Sequence, residues 1–513
     1  MNTARLTSAN CLILLLILIP INAMAYIEDS IFKPILYPQA TQSLLADSPA
    51  QYKHEYPDLP ESLYHPFARW NTFTEALVDG FHTGKPKYSL IAYRHADSKF
   101  KADFNILAGY EYTRQDDDSY GFLYKGWRIT SQIGKRLHLD AHWYNGAFRG
   151  DLDAAETSPL IDGYYKRKAA HIQLDNMTGA LGYHHPSYTL ALGRGRFQMG
   201  NTISSSIILN DQVNDYAYLL AEGRAGRFSL SFLHGSLMAD STHNIYANPS
   251  LNSKNYPDKY IALHQLNYTP NHWIDLFAGE TVVYGNRAID VNYLLPNSFW
   301  RAVEHNQGDR DNVLLFAGMN LRPNDNLMLY AQGALDEFSY SKIFSNWWGN
   351  KYALQCGASL SAPELALSQS PASRITLEAT AVRPFTYTHY LNHSMYSHDG
   401  RPLGYSKGSN LLNLSLELNL AWREYLTWDA NLTWCRQGSF GSDWRQNYHD
   451  VFPGSLIDDG TAEWFEGVRT DTINLCNTFR IPVMAHHRLI LGHASEYRDT
   501  WKHNYFAGWQ LIY

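Results

Sequence analysis

The chain alternates apolar and polar residues over long stretches, and the clearest of these runs from Leu412 to Trp422. Five leucines and a closing tryptophan occupy the even positions, while mostly polar residues occupy the odd ones. A period of two is that of a β-strand with one apolar and one polar face. The pattern restarts at Leu426 and continues to Trp434 after only three residues, so a hairpin with a very short turn is predicted.

Two all-β architectures produce such alternation, and strand length distinguishes them. Strands of a soluble sandwich average about five or six residues, whereas a tilted strand that crosses a membrane needs ~9–11. The alternating stretches here have the greater length, and aromatic residues recur near their ends, where membrane barrels carry girdles. These aromatic residues are Tyr110, Trp143, Tyr144, Tyr268, Tyr284, Tyr330, Trp422 and Trp434. Both features predict a transmembrane antiparallel β-barrel.

About eighteen strands are predicted, and the connections between them alternate between short and long. An even number places both chain ends at the same mouth, and short periplasmic turns facing long outer loops are typical of outer-membrane barrels. The connection at 362–373 is the exception, because it falls among the short turns but has twelve residues. The predicted strands lie near 104–112, 122–133, 136–145, 170–183, 188–198, 216–224, 228–235, 259–268, 274–284, 311–320, 325–335, 351–361, 374–385, 411–422, 426–434, 470–481, 487–497 and 503–513.

The N-terminal residues carry the pattern of a secretory signal peptide. No charged side chain occurs between Leu6 and Ala25, Arg5 precedes the apolar run, and Ala23-Met24-Ala25 has the form of a cleavage site. We therefore expect a signal peptide at 1–25, cleaved near Ala25, and an outer-membrane location. Residues 26–86 are rich in proline and predict a small helical or irregular periplasmic region, and 87–513 form the barrel.

Composition removes several function classes. Only 18% of the 513 residues are charged, 14% are aromatic and the net charge is −7, so the chain has neither the basic excess of a nucleic-acid-binding protein nor the composition of a disordered one. After the signal peptide the cysteines are Cys356, Cys435 and Cys476. Their number is odd and no C-x-x-C spacing occurs, so neither a zinc site nor a disulfide framework is indicated.

No enzyme motif occurs in the chain, and we predict no catalytic residue, no metal and no cofactor. The G-x-S-x-G, H-E-x-x-H and Walker patterns are absent. The histidine pairs at 184–185 and 486–487 and the aspartates at 116–118 fall in predicted turns and are interpreted as solvated. A serine beside a histidine on the barrel wall, which an outer-membrane phospholipase would need, stays open at this stage.

Motifs scattered over roughly 100–410 resemble the capsule-assembly Wzi family, in its divergent Bacteroidota-type branch. They are LGRGR at 192–196, Met199-Gly200, SSSIIL at 204–209, FAGETVVYG at 277–285, YLLP at 293–296, DRDN at 309–312, LYAQ at 329–332, DEF at 336–338, RPFTYTH at 383–389 and PLG at 402–404. The chain departs from the family at Met199, where a tryptophan is usual, and the stretch after 435 has no counterpart. The resemblance implies an eighteen-stranded barrel that acts as a lectin for capsular polysaccharide.

Candidate binding residues lie in the long outer loops, where tryptophans occur beside charged residues. Sugar rings stack on aromatic faces, and their hydroxyls pair with charged and amide side chains. Loop packing or a girdle position is the alternative interpretation of each tryptophan. We expect Trp347 and Trp348 to be exposed to water as a stacking platform. The predicted polysaccharide-binding residues are Trp300, Arg301, Glu304, Arg310, Asp311, Trp347, Trp348, Trp444 and Trp464.

Three functions remain compatible with the sequence. The favoured one is a non-enzymatic outer-membrane barrel that binds surface polysaccharide and helps to assemble or attach a capsule or exopolysaccharide. The alternatives are a porin for small solutes and a scaffold of a secretion or adhesion machine. The expected partners are capsular or extracellular polysaccharide and outer-membrane lipid, without nucleic acid, and the expected state is a monomer.

Overall fold

The structure is a computed structural model. It describes residues 91–94, 100–134, 136–158, 161, 165–185, 187–239, 257–324, 326–343, 345–361, 373–422, 426–484 and 487–512. The predicted signal peptide at 1–25 and the predicted N-terminal region at 26–86 both lie outside these residues. Most of the connection at 362–373 also lies outside the described residues.

The described chain forms eighteen long antiparallel strands, which agree with the eighteen predicted segments. Each strand pairs with the next along the chain, and two shorter strands, Ile91–Arg94 and Tyr165–Arg167, pair with the first residues of Phe100–Gln115 and Ile172–His185. The long strands are β1 Phe100–Gln115, β2 Asp118–Ile133, β3 Leu137–Gly150, β4 Ile172–His185, β5 Tyr188–Gly195, β6 Tyr216–Ala225, β7 Phe228–Met238, β8 Asp258–Asn271, β9 Ile274–Gly285, β10 Asn312–Asn324, β11 Leu327–Glu337, β12 Lys351–Ser361, β13 Arg374–Val382, β14 Leu411–Trp422, β15 Leu426–Gly438, β16 Arg469–Met484, β17 His487–Tyr497 and β18 Trp501–Ile512.

The sheet closes on itself because β1 pairs with β18. The pairing runs from Leu107 opposite Ile512 to Gln115 opposite Asn504. Closure leaves no long strand without a neighbour on either side, which is the condition for a sheet that crosses a membrane. The prediction of an all-β transmembrane barrel of about eighteen strands is confirmed.

Short helices occur only in the connections of the described chain. The α-helices are Leu152–Glu156, Trp300–Asn306, Tyr448–Val451 and Leu456–Asp459, and the 3₁₀ helices are Val291–Leu294, Tyr340–Lys342 and Asn392–Ser394. A two-residue hairpin pairs Ser397–His398 with Arg401–Pro402. Among the described residues, no helix has the length and apolar character needed to span a membrane.

The apolar face of each strand points away from the barrel axis. On β13, Leu377 is 57% exposed, while its neighbours Thr376 and Glu378 are buried on the lumenal side. The same alternation on β14 exposes Leu414 and buries Asn413. A soluble sandwich would place its apolar face inward, so this arrangement requires lipid outside. Exposed apolar residues on the outer wall are Leu123, Leu192, Leu219, Leu266, Met319, Leu354, Leu377, Leu414 and Leu432.

The two mouths of the barrel differ as predicted. At one mouth, consecutive strands are separated by only two or three residues at seven places, 134–136, 186–187, 226–227, 272–273, 325–326, 423–425 and 485–486, and by the twelve residues 362–373 at the eighth, the exception noted above. The other has long connections, at 151–171, 196–215, 239–257, 286–311, 338–350, 383–410 and 439–468, together with two short ones at 116–117 and 498–500. We refer to the second as the outer mouth, because long loops face the outside in barrels of this kind.

The orientation of the wall predicts the effect of a charge at Leu377. Leu377→Arg should lower the free energy of unfolding in lipid by about 2–4 kcal/mol, because a cation would face the hydrocarbon. Leu377→Ala serves as the control, since trimming a lipid-facing side chain leaves no cavity in the protein. Urea titration of the folded band on unheated gels measures both. Equal stability of the two variants would contradict the assigned orientation.

Candidate functional site

Two of the long outer connections turn back into the barrel and fill part of its lumen. We call residues 196–215 the plug loop and residues 383–410 the bridging loop. Their apolar side chains share one buried core with lumen-facing residues of the strands from β5 to β15. The loop members of this core are Phe197, Met199, Ile207, Ile208, Leu209, Val213, Tyr387, Tyr396, Leu403 and Tyr405. The packing fixes both loops against the wall.

Tyrosine hydroxyls connect the two loops inside this core. Tyr387 donates to the carbonyl oxygen of Ile207 at 2.8 Å, and Tyr396 donates to that of Ile208 at 2.7 Å. A buried hydroxyl without a partner costs about 1–3 kcal/mol. These bonds therefore specify how the bridging loop lies on the plug loop.

A carboxylate on the lumenal wall holds the plug loop in place. Glu378 on β13 accepts hydrogen bonds from the backbone N–H groups of Ile203 at 3.0 Å and Ser204 at 3.3 Å, and from the Ser204 hydroxyl. The Tyr330 hydroxyl on β11 donates to the same carboxylate at 2.7 Å. Bonds to a charged acceptor are stronger than neutral ones. Nothing in the sequence indicated this contact.

The plug loop extends far from the outer mouth. The Asn201 side chain donates to Asn320 Oδ1 at 2.5 Å and lies 3.9 Å from the sulfur of Met328. Met328 is the second residue of β11 after the short turn at the opposite mouth. Beside Asn201, Gly200 has φ +75° and its Cα faces the Gln332 side chain so closely that no Cβ would fit. The loop therefore traverses most of the barrel.

Above this core, three outer connections pack into a second cluster, which we call the cap. It consists of 338–350, part of the bridging loop, and 439–468. Trp348 lies at its centre, 2% exposed, with its indole N–H donating to the carbonyl oxygen of Ile457 at 2.8 Å. Its ring stacks on Phe452 with a centroid distance of 5.2 Å. The expectation that Trp348 is exposed to water is therefore wrong: its ring holds the loops together.

A buried lysine lies beneath the cap. The Lys351 ammonium group is 2.9 Å from the Glu337 carboxylate, donates to the carbonyl oxygen of Thr388 at 3.3 Å, and lies 4.3 Å from the centre of the Tyr448 ring. A paired ion of this kind is tolerated in a buried position because its charge and its N–H groups are both satisfied. The sequence gave no indication of this residue.

Two tryptophans at the cap are only half-buried, and each has a cation over one face. Trp347 is half-buried, with the Lys342 ammonium group 5.2 Å from a ring centroid. Trp464 is half-buried, with the Arg383 guanidinium group at 5.5 Å. Arg383 is itself buried and donates to the carbonyl oxygen of Ala462 at 3.0 Å. The structure therefore brings Trp347 and Trp464 onto one surface of the barrel.

Trp444 lies apart from this pair. Its half-buried ring packs against the core of the plug loop, and Arg445 lies over it at 5.4 Å. Arg445 also pairs with the Asp443 carboxylate at 2.9 Å. Trp444 therefore forms part of the surface where the cap meets the lumen.

The remaining predicted residues belong to residues 286–311, which we call the side loop. Trp300 is 0% exposed, stacks on His264 with ring centroids 4.1 Å apart, and donates its backbone N–H to Glu280 at 2.6 Å. No face of this ring is open to a ligand. Trp300 therefore packs the side loop against the wall and cannot stack on a sugar. His264 and Glu280 belong to the outer face of the wall.

The charged residues of the side loop are mostly paired within it. Arg301 bonds to the buried Glu304 carboxylate, and Arg287 makes two 2.7 Å bonds to the buried Asp311 carboxylate. Arg310 is exposed and donates to the Gln307 side chain at 3.1 Å. Of the five predicted residues on this loop, Arg310 presents the most accessible charge.

Two clusters have the residue types of a metal site and of a serine–histidine catalytic pair, but their geometry supports neither function. The ligand atoms of Glu304, His305 and Asp309 lie within 4.8 Å of one another, but the Arg301 guanidinium group already pairs with Glu304 and lies 3.9 Å from the Asp309 carboxylate. On the outer wall of β17 and β18, Ser495 Oγ lies 3.0 Å from His503 Nδ1. The serine is completely buried, so its oxygen is not accessible to a substrate. The predicted absence of metal and of catalysis stays a prediction.

Comparisons with known proteins show similar folds among solved structures but no match at the level of sequence. No family model and no curated protein matches the chain. Among solved structures, Escherichia coli Wzi, described as an outer-membrane protein of group 1 capsule assembly and a carbohydrate-binding β-barrel, aligns at TM-score 0.49 with 12% identity over 80% of this chain and 85% of its own.

Porins of Pseudomonas aeruginosa align to a similar extent. OccK5 gives TM-score 0.44 and 9% identity over 80% of this chain and 98% of its own, and OprD gives 0.41 and 8% over 82% and 97%. Identities at this level concern the fold alone and do not distinguish a carbohydrate-binding barrel from a porin. The function is therefore argued below from this chain's own residues.

The anchoring of the plug loop by Glu378 can be tested by removing the carboxylate. Glu378→Ala should accelerate amide hydrogen exchange in peptides from 196–215 by at least roughly tenfold, because several hydrogen bonds, each worth about 1.5–3 kcal/mol, are lost together. Glu378→Gln should have a smaller effect, since the amide oxygen still accepts. Unchanged exchange in both variants would show that the core alone holds the loop.

The bridging loop should weaken in acid because of His389. Burial, together with the nearby Lys351 ammonium group, lowers the pKa of the His389 imidazole to about 3, against about 6.5 in the unfolded chain. Between these values only the unfolded state binds the proton, so stability present above pH 6.5 is lost as the pH falls, on the order of 2 kcal/mol by pH 5.

Hydrogen exchange of peptides from 383–410, corrected for intrinsic rates and compared at pH 7.5 and pH 5, measures this loss. His389→Gln should remove most of the difference between the two pH values, because glutamine does not titrate. His449→Gln changes an exposed histidine of the same cap and serves as the matched control. An equal pH dependence in all three proteins would exclude His389 as the cause.

Proposed function

We propose that this protein is a non-enzymatic outer-membrane barrel that binds polysaccharide at its outer mouth and helps to hold capsule or exopolysaccharide at the cell surface. The observation that carries the proposal is the fixed surface built by the plug loop, the bridging loop and the cap. Loops that are packed and hydrogen-bonded in this way provide a preorganised surface, which lowers the entropic cost of binding an extended chain.

The chemistry of that surface suits a sugar polymer. Trp347 and Trp464 are only half-buried, and a sugar ring can stack on an exposed indole face through its C–H groups. Lys342 lies over one face of the Trp347 ring and can donate N–H groups to hydroxyl or carboxylate groups of a sugar. The buried Arg383 supports one face of the Trp464 ring from within the protein. The predicted platform thus moves from the Trp347–Trp348 pair to the Trp347–Trp464 pair.

A porin is the second candidate, and charged pairs on the lumenal wall favour it. On the lumenal face Arg128 pairs with Asp140 at 2.9 Å, and Arg480 pairs with Asp429 between β15 and β16. Charged pairs of this kind are typical of a water-filled lumen. The proposal therefore needs a test that separates binding from conduction.

Binding can be tested with surface polysaccharide extracted from the bacterium that carries the gene and immobilised on a sensor. Trp347→Ala and Trp464→Ala should each weaken binding of the purified barrel by about 1 kcal/mol, roughly fivefold, through loss of stacking. Trp273→Ala is the matched control, because Trp273 is an exposed tryptophan in a turn at the opposite mouth. Full binding by both cap variants would remove the cap as the binding surface.

Conduction is measured on the same protein in planar bilayers. A polysaccharide-binding barrel occupied by the plug loop should show no steady channel conductance. A steady conductance that rises in Glu378→Ala, combined with no polysaccharide binding, would favour the porin.

A further inference from the structure

The side loop lies on the outside of the barrel rather than in its lumen. On β8 and β9 the lipid-facing positions include Leu266 opposite Ala278 and Tyr268 opposite Leu276. Side chains of one face recur every second residue. His264 opposite Glu280 therefore shares the lipid-facing side, and Trp300 contacts both of these residues.

The core beneath the side loop confirms this position. It joins Tyr293 and Trp300 of the loop to alternate residues of four neighbouring strands, all on the outward face. These wall residues are Phe232, Ala262, Val282, Tyr284 and Val313. A loop that packed into the lumen would contact the intervening residues instead, as the plug loop does.

Height along the wall places this core at the level of the bilayer. A tilted strand climbs about 2.5 Å per residue, given a rise of ~3.3 Å and a tilt of ~40°. His264 lies four residues, about 10 Å, above Tyr268, which stacks on Phe228 near the short turns. The apolar band of such barrels is about 25 Å tall, so Trp300 lies within it.

Polar residues at this height explain why the wall needs a cover. His264 Nε2 is 3.3 Å from Glu280 Oε2, and the other polar atom of each side chain is buried without a hydrogen-bond partner among the described residues. An ionisable pair facing hydrocarbon is costly. Trp300 lies over the pair and separates it from the surroundings.

The side loop in turn presents its own apolar residues outward. Val291 is 67% exposed and Phe299 60%, and Ile289 and Leu295 are exposed to about half. Most of the loop's charges are paired internally, as described above. In water, four exposed apolar side chains on one loop would be unfavourable, whereas against acyl chains they extend the apolar wall.

We propose that the side loop is a lipid-contacting element: residues 286–311 lie against the barrel's outer wall within the outer leaflet, where Val291, Leu295 and Phe299 contact acyl chains. This inference rests on the proposed membrane placement of the barrel. The interface is continuous with the wall below it, which already exposes Leu266 and Met319. The side loop thus replaces lipid as the neighbour of β7 to β10.

Nitroxide labels at single cysteines test the proposal in liposomes. In a protein with Cys356, Cys435 and Cys476 replaced by alanine, Val291→Cys and Phe299→Cys are labelled at exposed positions, with Leu295→Cys in reserve. Leu377→Cys is the lipid-facing control, and Tyr340→Cys, at an 87% exposed position of an outer connection, is the water-facing control. Collisions with oxygen report lipid, and collisions with a soluble nickel chelate report water.

We expect labels at 291 and 299 to match the label at 377, with oxygen collisions exceeding nickel collisions several-fold, and the label at 340 to show the reverse. Labels at 291 and 299 that resemble 340, while 377 remains in lipid, would overturn the side-loop proposal alone. A label at 377 that resembles 340 would overturn the membrane placement itself. The two failures are therefore distinguishable.

Discussion

The structure depends on one constraint: a backbone that crosses hydrocarbon must pair all of its N–H and C=O groups within the protein. Pairing of β1 with β18 meets this constraint by closing the sheet. Closure also creates two faces with opposite solvents, lipid outside and polar groups inside. Each later feature, from Leu377 on the wall to Glu378 beside it in the lumen, follows from the face on which a residue falls.

Closure of eighteen strands leaves a lumen too wide for wall side chains alone to fill, and the outer loops occupy part of it. The plug loop carries an apolar run, Ile207 to Leu209, into a polar interior, which is stable because the bridging loop packs over it. Glu378 provides the polar contact that such a core lacks. The cap then rests on this filled interior. Its tryptophans are therefore packed against neighbouring loops and are not freely exposed to water.

Much of this fold could be predicted from the sequence, because a period of two is a local property of the chain. Strand number, the inward and outward faces and the unequal mouths all follow from it. Loop placement does not, since nothing local distinguishes a loop that enters the lumen from one that lies on the wall. For the same reason the sequence does not distinguish Trp300, Trp347 and Trp348 from one another. In the structure Trp300 lies on the outer wall and Trp348 lies at the centre of the cap.

A clue to loop placement was nevertheless present in the strands. His264 and Glu280 interrupt lipid-facing rows in which their nearest neighbours are Ala262, Leu266, Ala278 and Val282. A polar residue on such a face is costly unless something covers it, and the nearest long connection that follows β9 is the side loop. Interruptions of the outward face therefore identify where a loop returns to the wall, while apolar runs inside a long loop, such as the one at 207–209, identify where it enters the lumen.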